Sequence, residues 1–345
     1  MRDLIKLNKA FKPNENQVNK ILSKITSRFE NITTENVDKI TRISEGQNLN
    51  FIINSKLSNK YSLKIISNKG YPNIKSLAQC YHLLQKNGIN CYKILDSDYS
   101  DKIAPYGYLI QNWIEGKTAE EYFHFSYEDM CKEPERQEWI VHFAQIFNEI
   151  HKIKMNYFGN LDAKIKFASL YDYYSNLDIV ITNSFGETFI DDLSIWDLCE
   201  KGVISKDFVS DIFMEIKGMI EDQFKDKESV LIYGDMLPNN LIYSQNKSIL
   251  IDWDETKANW WVYELARTLY YINSMTLAEK FLDSYSFSDS IKEIDIGIRI
   301  EHIKQDLRQI YFAVINSNSS SEIAQKVNKI MKKIEQSITN KKLTL

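Results

Sequence analysis

VLIYGDMLPNNLIYSQNKSILIDWD, residues 230–254, is an isolated β-like stretch in a part of the chain that is otherwise helical in pattern. Two short apolar runs, Leu241–Tyr243 and Ile249–Ile251, flank a polar turn and predict a β-hairpin. The expected register places Asn240 opposite Asp252, and opposed residues of antiparallel strands have Cβ atoms about 4.5–5.5 Å apart. The hairpin therefore predicts two oxygen donors side by side at one end.

A third polar group, Asp235, precedes this hairpin on a turn that begins at Gly234 and contains Pro238. A single Asp at a turn is usually a turn former. The complete spacing is more specific, because Gly-Asp is followed by Asn240 and then by Ile-Asp-Trp at Asp252. In phosphoryl transfer to a hydroxyl, one Asp accepts the hydrogen bond of the alcohol while an Asn and a second Asp hold metal ions. Mg²⁺ prefers such oxygen ligands and leaves further positions to water and phosphates.

The rest of the chain separates into a β-rich part and a helical part. In the first 114 residues we expect an opening amphipathic helix capped by Asn14, short strands, a helix over Ile74–Lys86 and a buried strand over Tyr106–Ile114. Apolar residues recur at helical spacing from about residue 119 onward. The pattern predicts an α+β fold with a small β-rich N-terminal lobe, residues 1–112, and a large, mainly helical C-terminal lobe, residues 113–345, that carries the hairpin and the substrate site.

Composition excludes several classes of protein. The 345 residues are 43% hydrophobic with a net charge of −4, which suits two packed lobes and gives no basic footprint for nucleic acid. The closest glycines, Gly107 and Gly116, are too far apart for a dinucleotide-binding or P-loop motif. The four cysteines form no C-x-x-C pair, which argues against zinc and disulfides. Without an apolar run of signal-peptide or membrane-spanning length, we expect a cytoplasmic protein with no membrane partner.

The segment from Gly234 to Asn240, with Ile251-Asp252-Trp253, resembles the catalytic and metal-binding motifs of the aminoglycoside phosphotransferase and choline kinase-like superfamily, relatives of protein kinases. The resemblance implies a bilobal, protein-kinase-like fold. It also implies Asp235 as the catalytic base and Asn240 and Asp252 as Mg²⁺ ligands. The family usually has His where this chain has Tyr233.

The same resemblance implies a site for ATP or GTP in the N-terminal lobe. Lys64 occupies the position of the strand lysine that contacts the nucleotide phosphates. Ser44 and Gly46 fall in the position of the nucleotide loop, and Gln111 and Trp113 fall at the inter-lobe hinge that contacts the adenine.

One family feature is missing from the sequence. The acid that usually pairs with the strand lysine is replaced by Leu77, with Gln79 nearby. Glu45 or another acid could take its place, and the sequence leaves this open. Ile150-His151 resembles a Leu-His pair of the family, and we interpret His151 as structural.

Within the superfamily, residues Tyr157–Leu161 and Ile251–Arg267 are most similar to antibiotic kinases of the hygromycin and aminoglycoside type. A polycationic aminocyclitol would need carboxylates, because amines are held best by charge-assisted hydrogen bonds. The candidates that follow the metal-binding segment are Asp254, Glu255 and Glu264. Glu301 and Asp306 could add to them, but we expect both on a mixed, solvent-exposed helix face.

Three functions compete at this stage. The first is transfer of the γ-phosphate of ATP or GTP to a hydroxyl of an aminoglycoside or aminocyclitol, by a monomer or homodimer. The second is a metabolic kinase for choline, a sugar or an amino alcohol, and the third is a nucleotide-binding pseudoenzyme. A protein kinase is less favoured, because Asp252-Trp-Asp differs from the Asp-Phe-Gly motif and no Ala-Pro-Glu segment follows.

Overall fold

The structure is a computed structural model, and it describes residues 11–43, 48–69, 71–162, 164–181, 194–220, 222–244, 247–317 and 319–339. The chain divides into two compact units, with the boundary between Gly116 and Lys117. The smaller unit is built on one sheet and the larger unit is mainly helical. The predicted α+β class, with a β-rich N-terminal part and a helical C-terminal part, is confirmed.

The smaller unit contains an antiparallel sheet with the strand order β1-β2-β3-β5-β4 and two helices. Its elements in chain order are α1 (Glu15–Thr33), β1 (Val37–Ile43), β2 (Leu49–Ser55), β3 (Lys60–Ile65), α2 (Ile74–Lys86), β4 (Ile94–Asp98) and β5 (Tyr108–Asn112).

Helix α1 packs against one face of this sheet. The Asn14 side chain caps its first turn, as predicted. Apolar side chains that recur every four positions on α1 share one buried cluster with two residues of β3: Ile21, Ile25, Phe29, Leu63 and Ile65. Since successive side chains of a strand point to opposite faces, Lys64 belongs to the face away from α1.

The larger unit combines helices with two small sheets, of strand order β11-β10-β6 and β7-β9-β12-β8. Its helices are α3 (Ala119–Phe123), α4 (Tyr127–Lys132), α5 (Trp139–Ile150), α6 (Leu170–Ser175), α7 (Ile195–Glu200), α8 (Lys206–Met219), α9 (Val262–Ile272), α10 (Met275–Ser284), α11 (Ile291–Asn316) and α12 (Ser320–Thr339). Its strands are β6 (Lys117–Thr118), β7 (Lys154–Met155), β8 (Gly159–Asn160), β9 (Ser229–Ile232), β10 (Leu241–Ser244), β11 (Lys247–Leu250) and β12 (Lys257–Asn259). No helix in these described ranges is long and apolar enough to cross a membrane.

The topology of these two sheets positions the site. Strands β9 and β12 are neighbours in one sheet, and β10 and β11 are neighbours in the other. The chain passes from the first sheet to the second through residues 233–240 and returns through residues 251–256. The two connections therefore run between the same pair of sheets, and they carry the predicted base and metal ligands.

Helix α11 is enclosed rather than exposed, since α9 and α12 both pack on it. Glu301 is buried and forms an ion pair with the buried Lys304. Asp306 is also buried, and its Oδ1 accepts hydrogen bonds from the Tyr270 hydroxyl at 2.6 Å and from Lys333 Nζ at 2.8 Å. The predicted solvent-exposed face for Glu301 and Asp306 is therefore wrong.

Candidate active site

The loop between β9 and β10 carries Asp235. Gly234 has a φ of +85°, a conformation that other residues rarely adopt. A Cβ at this position would lie 2.8 Å from the carbonyl oxygen of Glu255. Pro238–Asn240 then forms a 3-10 turn that leads into β10. The backbone around Asp235 therefore depends on glycine, which lets the two connections approach closely.

Glu264, on α9, holds this loop through hydrogen bonds to its backbone. Its side chain is buried, and its Oε1 and Oε2 accept hydrogen bonds from the backbone N–H groups of Tyr233 at 2.5 Å and Gly234 at 2.8 Å. Hydrogen bonds to an ionised acceptor are stronger than neutral ones. The placement does not support Glu264 as a substrate-binding acid, because the backbone already uses both of its oxygens.

Asn240 contacts Asp235 directly. Its Nδ2 donates to Asp235 Oδ2 at 2.7 Å and to the Asp235 carbonyl oxygen at 3.0 Å. The Asn240 side chain is buried, whereas Asp235 is half-buried. The five-residue spacing in the sequence thus corresponds to a loop that folds back on its own aspartate.

The surroundings of Asp235 make it a stronger base than an ordinary aspartate. Burial raises its pKa to about 6. The positive charge of Arg267 and the hydrogen bond from Asn240 lower this pKa, whereas the negative charges of Glu255 and Asp252 raise it. Asp235 is therefore easier to protonate than an ordinary aspartate.

The hairpin has a different register from the predicted one. Strand β10 continues to Ser244 and β11 begins at Lys247, so only residues 245 and 246, which lie outside the described residues, connect them. The Ile251 N–H donates to the Asn240 carbonyl oxygen at 3.0 Å, which places Asn240 opposite Ile251. The predicted pairing of Asn240 with Asp252 is wrong by one residue, because the connection is shorter than expected.

Asp252 follows immediately and leaves the hairpin in a left-handed conformation, with a φ of +60°. It is exposed, and its charge acts on Asp235. The buried Tyr233 hydroxyl donates to the carbonyl oxygen of Ile251. Tyr233 therefore links the loop of residues 233–240, the base loop, to the connection that carries Asp252.

Asn240 and Asp252 provide an amide and a carboxylate, the ligand types that suit Mg²⁺. Because Asn240 Nδ2 faces Asp235, its carbonyl oxygen Oδ1 is directed elsewhere. Within the part of the chain that is described, no group of three or more His, Cys, Asp or Glu is arranged to hold a metal ion. One amide and one carboxylate are compatible with Mg²⁺, which takes its remaining ligands from phosphate and water.

Of the acids after Asp252, Glu255 is paired within the protein. Its Oε1 lies 3.3 Å from Nη2 of Arg267. The side chains are mostly buried, with exposures of 15% for Glu255 and 13% for Arg267. Asp254 is half-buried. The three predicted substrate acids thus have different environments, and only Asp254 and Glu255 lie beside the metal-binding segment.

Lys64 lies on β3 of the smaller unit, where it pairs with Asn50 of β2 and Leu109 of β5. Its side chain is half-buried on the face away from α1. Helix α2 contains no acid, and Leu77 at the expected position is buried. Glu45, the alternative partner, lies outside the described residues.

The other predicted nucleotide contacts are also in the smaller unit. Gln111 is buried on β5, and its Nε2 has no hydrogen-bond partner. The Trp113 N–H donates to the carbonyl oxygen of Lys60 at 3.2 Å, which continues the pairing with β3 past the end of β5. Ser44 and Gly46 lie outside the described residues.

Two further residues of the larger unit belong to the site but were not predicted from the sequence. Arg267 contacts Glu255 and lowers the pKa of Asp235. Its spacing of three from Glu264 on α9 puts both on one side of the helix, which is the signal that could have found it. Burial raises the pKa of the partly exposed Tyr127 most, and the negative charge of Asp235 raises it further.

Several solved structures share the fold. A thermostable mutant of aminoglycoside phosphotransferase APH(4)-Ia is 12% identical, with a TM-score of 0.59 over 91% of this chain and 99% of that chain. Choline kinase LicA from Streptococcus pneumoniae is 15% identical, with a TM-score of 0.57 over 92% and 99%. Spectinomycin phosphotransferase APH(9)-Ia is 12% identical, with a TM-score of 0.52 over 91% and 98%.

No curated protein sequence matches the chain. The sequence does match the model of one protein family, described as the phosphotransferase enzyme family, over residues 39–294. That range includes the base loop, the hairpin and α9, and it covers well over half of the chain. The chain therefore belongs to the phosphotransferase enzyme family, and it is a small-molecule phosphotransferase with a kinase-like fold.

Proposed function

We propose that this protein transfers the γ-phosphoryl group of ATP or GTP to a hydroxyl of a small molecule, with Asp235 as the base. The contact between Asn240 and Asp235, beside the charge of Asp252, is the observation that carries this proposal. Asn, Asp and a catalytic Asp are the groups that kinases use for this reaction.

In the proposed reaction, Asp235 accepts a hydrogen bond from the acceptor hydroxyl and orients its oxygen toward the γ-phosphorus. The hydroxyl oxygen forms a new bond to phosphorus, the bond to the β–γ bridging oxygen breaks, and its electron pair leaves with the nucleoside diphosphate. Asp235 takes the hydroxyl proton. Its pKa of about 6 supports this role, because a base acts best when its pKa is near the working pH.

Asn240 and Asp252 are the proposed Mg²⁺ ligands. When bound with the nucleotide, Mg²⁺ would supply positive charge to the phosphates. Lys64 is proposed to contact the α- and β-phosphates. Ser44, Gly46, Gln111 and Trp113 are the further proposed nucleotide contacts, on the strength of the family resemblance. Solved structures of similar fold carry AMP-PNP with hygromycin B, and ADP with spectinomycin, which supports a nucleotide donor.

For the acceptor, we place a small metabolic alcohol ahead of an aminoglycoside or aminocyclitol. A polyamine needs several carboxylates that are available to its amines. Glu264 is occupied by the loop backbone, and Glu255 is paired with Arg267. These contacts remove two of the three acids that favoured an antibiotic acceptor.

The test compares the wild type with Asp235→Asn, using MgATP and MgGTP as donors. The acceptor panel contains hygromycin B, spectinomycin, choline, neutral sugars and hydroxy acids, with the phosphorylated product identified by mass spectrometry. We expect phosphorylation of at least one hydroxyl compound and a loss of about 10³-fold in kcat in the variant, as is typical of a lost general base.

The matched control is Asp211→Asn, which removes an exposed carboxylate of α8. It is expected to leave the rate unchanged. Nucleotide binding without any product would favour a pseudoenzyme. Turnover that persists in Asp235→Asn would contradict the proposed base.

A further inference from the structure

Arg267 is an incompletely satisfied guanidinium next to the proposed base. Its Nη2 lies 3.3 Å from Oε1 of Glu255, and its Nη1 donates to the Tyr263 hydroxyl at a long 3.4 Å. Its Nε is buried without a hydrogen-bond partner. A buried donor without an acceptor is costly, so the arrangement suits a ligand that brings acceptor oxygens.

Two lysines strengthen the positive charge behind Arg267. Lys257 Nζ donates to the same Tyr263 hydroxyl at 2.9 Å, and Lys304 Nζ lies 4.8 Å from the centre of the Tyr263 ring. Lys257 and Lys304 are both more than nine-tenths buried, with exposures of 8% and 4%. Three cations from β12, α9 and α11 therefore converge on one tyrosine.

Two of the cations in this cluster form ion pairs with acids. Glu255 pairs with Arg267, and Glu301 pairs with Lys304. Within the described part of the chain, Lys257 forms no ion pair at 4 Å or less. With Asp235, on which the charge of Arg267 acts, the cluster contains three acids and three cations, and the Lys257 ammonium donates its hydrogen bond to Tyr263 instead of an acid.

The ionisation of Tyr263 reports the same positive charge. Burial raises its pKa, but the charges of Lys257, Arg267 and Lys304 outweigh burial and bring the pKa to about 8. Such a field attracts anions and repels amines.

We infer that the acceptor alcohol carries an anionic group, a carboxylate or a phosphate, and that Arg267 binds this group while Asp235 activates the hydroxyl. The inference rests on the proposed function and specifies the substrate class for the same site. Arginine suits this task, because its planar fork can hold two oxygens of one anion. Glu255 occupies part of the guanidinium in the absence of the acceptor and competes with the anion for it.

The first experiment compares acceptors that differ in charge, using the full chain with MgATP. Gluconate and sorbitol form a matched pair, since a carboxylate in one replaces a hydroxymethyl group in the other. Glycerate and glycerol form a second pair, and choline and hygromycin B are the cationic acceptors. We expect the highest kcat/KM with an anionic member and a preference of about tenfold or more within its pair, which corresponds to about 1.4 kcal/mol. A cationic or neutral compound as the best acceptor would overturn the inference.

Two variants of the cluster give opposite shifts. Arg267→Lys should raise the KM for the anionic acceptor by about tenfold, because lysine cannot replace the planar fork. Glu255→Gln should lower the same KM, because it removes the competing carboxylate. The control Arg136→Lys changes an arginine that is ion-paired with Asp129 and Glu133 on the surface, and it should leave the KM unchanged. A higher KM in Glu255→Gln would instead assign Glu255 to binding a substrate amine and would overturn the inference.

If no compound of the panel is phosphorylated, calorimetric titration with malonate decides the question. Binding that weakens in Arg267→Lys and strengthens in Glu255→Gln supports the anion site, and binding that responds to neither variant overturns it. Asp235→Asn separates this result from the proposed function. Transfer that survives in that variant contradicts the proposed base, whereas transfer that is lost in it but prefers choline overturns only the anionic acceptor.

Discussion

Glu264 and Glu255 both lie next to the loop of residues 233–240, and they differ in what their oxygens do. Glu264 is buried and accepts two short backbone hydrogen bonds from residues 233 and 234. Glu255 has an ion pair at 3.3 Å with Arg267, whose Nε has no partner. Both oxygens of Glu264 are used in hydrogen bonds that hold the loop backbone, whereas Arg267 beside Glu255 has an N–H group that donates no hydrogen bond. The comparison indicates that Glu264 fixes the backbone of the loop, whereas Arg267 is the group that we propose to bind the acceptor.

The comparison predicts its largest effect for Glu264→Gln. The new amide would direct an NH₂ group at a backbone N–H and leave buried donors unsatisfied, at a cost of about 3 kcal/mol. A loop displaced by this change should also lose about 100-fold in kcat. Denaturant unfolding and steady-state kinetics measure both.

Two other substitutions make this test specific. Glu149→Gln, at an exposed acid that pairs with Lys152, should change neither quantity. Glu255→Gln should change stability far less than Glu264→Gln. Equal destabilisation by Glu255→Gln and Glu264→Gln would show that the two regions do not differ as described.

The next effect concerns the contact between the two connections. Gly234→Ala would place a Cβ 2.8 Å from the Glu255 carbonyl oxygen in a residue with positive φ, and we expect a loss of about 1–3 kcal/mol. Gly88→Ala is the matched control, since Gly88 also has positive φ, at +71°, but a Cβ there would meet nothing within 4 Å. Thermal unfolding of both variants separates backbone strain from collision. Equal losses would mean that the close approach at Gly234 contributes nothing.

A smaller effect is expected from Tyr233→Phe. It removes the hydroxyl that donates to the Ile251 carbonyl oxygen and should cost about 1 kcal/mol of stability. Tyr243→Phe removes a buried hydroxyl that has no partner, so it should cost nothing or stabilise slightly. Chemical denaturation of the pair gives the measurement. A loss in Tyr243→Phe as large as in Tyr233→Phe would show that the hydrogen bond to Ile251 is not the source of the loss.

The last expected effect lies outside both regions and depends on pH. Partial burial raises the pKa of Glu293, but hydrogen bonds from Lys227 and Ser290 outweigh burial and bring the pKa to about 2. An acid whose pKa is lower in the folded state stabilises the fold above its unfolded value of about 4.5, and this contribution is lost as pH falls toward 2. Stability of Glu293→Gln should therefore depend less on pH between 4.5 and 2, with unchanged kinetics at neutral pH. Identical acid limbs for variant and wild type would refute the expectation.

Local patterns were enough to predict much of the fold. The helix over Ile74–Lys86 has the predicted bounds, and the helical stripe from Trp139 to Ile150 is α5. Strands β1 and β4 were not predicted. Most β1 side chains are exposed, so the strand lacks the alternation that marks a half-buried strand. In β4 the acid Asp96 is buried because Arg28 and the Tyr108 hydroxyl bind it, a long-range arrangement that no local pattern contains.

The candidate site divides in the same way. The spacing of Asp235 and Asn240 predicted two side chains that the structure places in contact, and Asp252 lies on the other connection between the same two sheets. The catalytic and metal-binding roles of these residues stay predictions. The register failed by one residue, since the length of the hairpin connection could not be read from its polar sequence. The contacts of Glu264 and Arg267 depend on α9 packing against a loop about 30 residues earlier in the chain. From the sequence, Glu264 was predicted to bind substrate because it is an acid that follows the hairpin. Burial, which the sequence does not give, decides between a carboxylate that supports the backbone and one that meets substrate.

The close approach at Gly234 also bears on how such an enzyme could change its acceptor during evolution. Gly234 approaches residue 255 at its carbonyl oxygen, which every residue has, and at its Cβ, which every residue except glycine has. If Arg267 binds the acceptor as proposed, a new side chain at 255 would change which acceptors bind while the backbone around Asp235 keeps its conformation. Recognition and chemistry can diverge independently at this point of the chain.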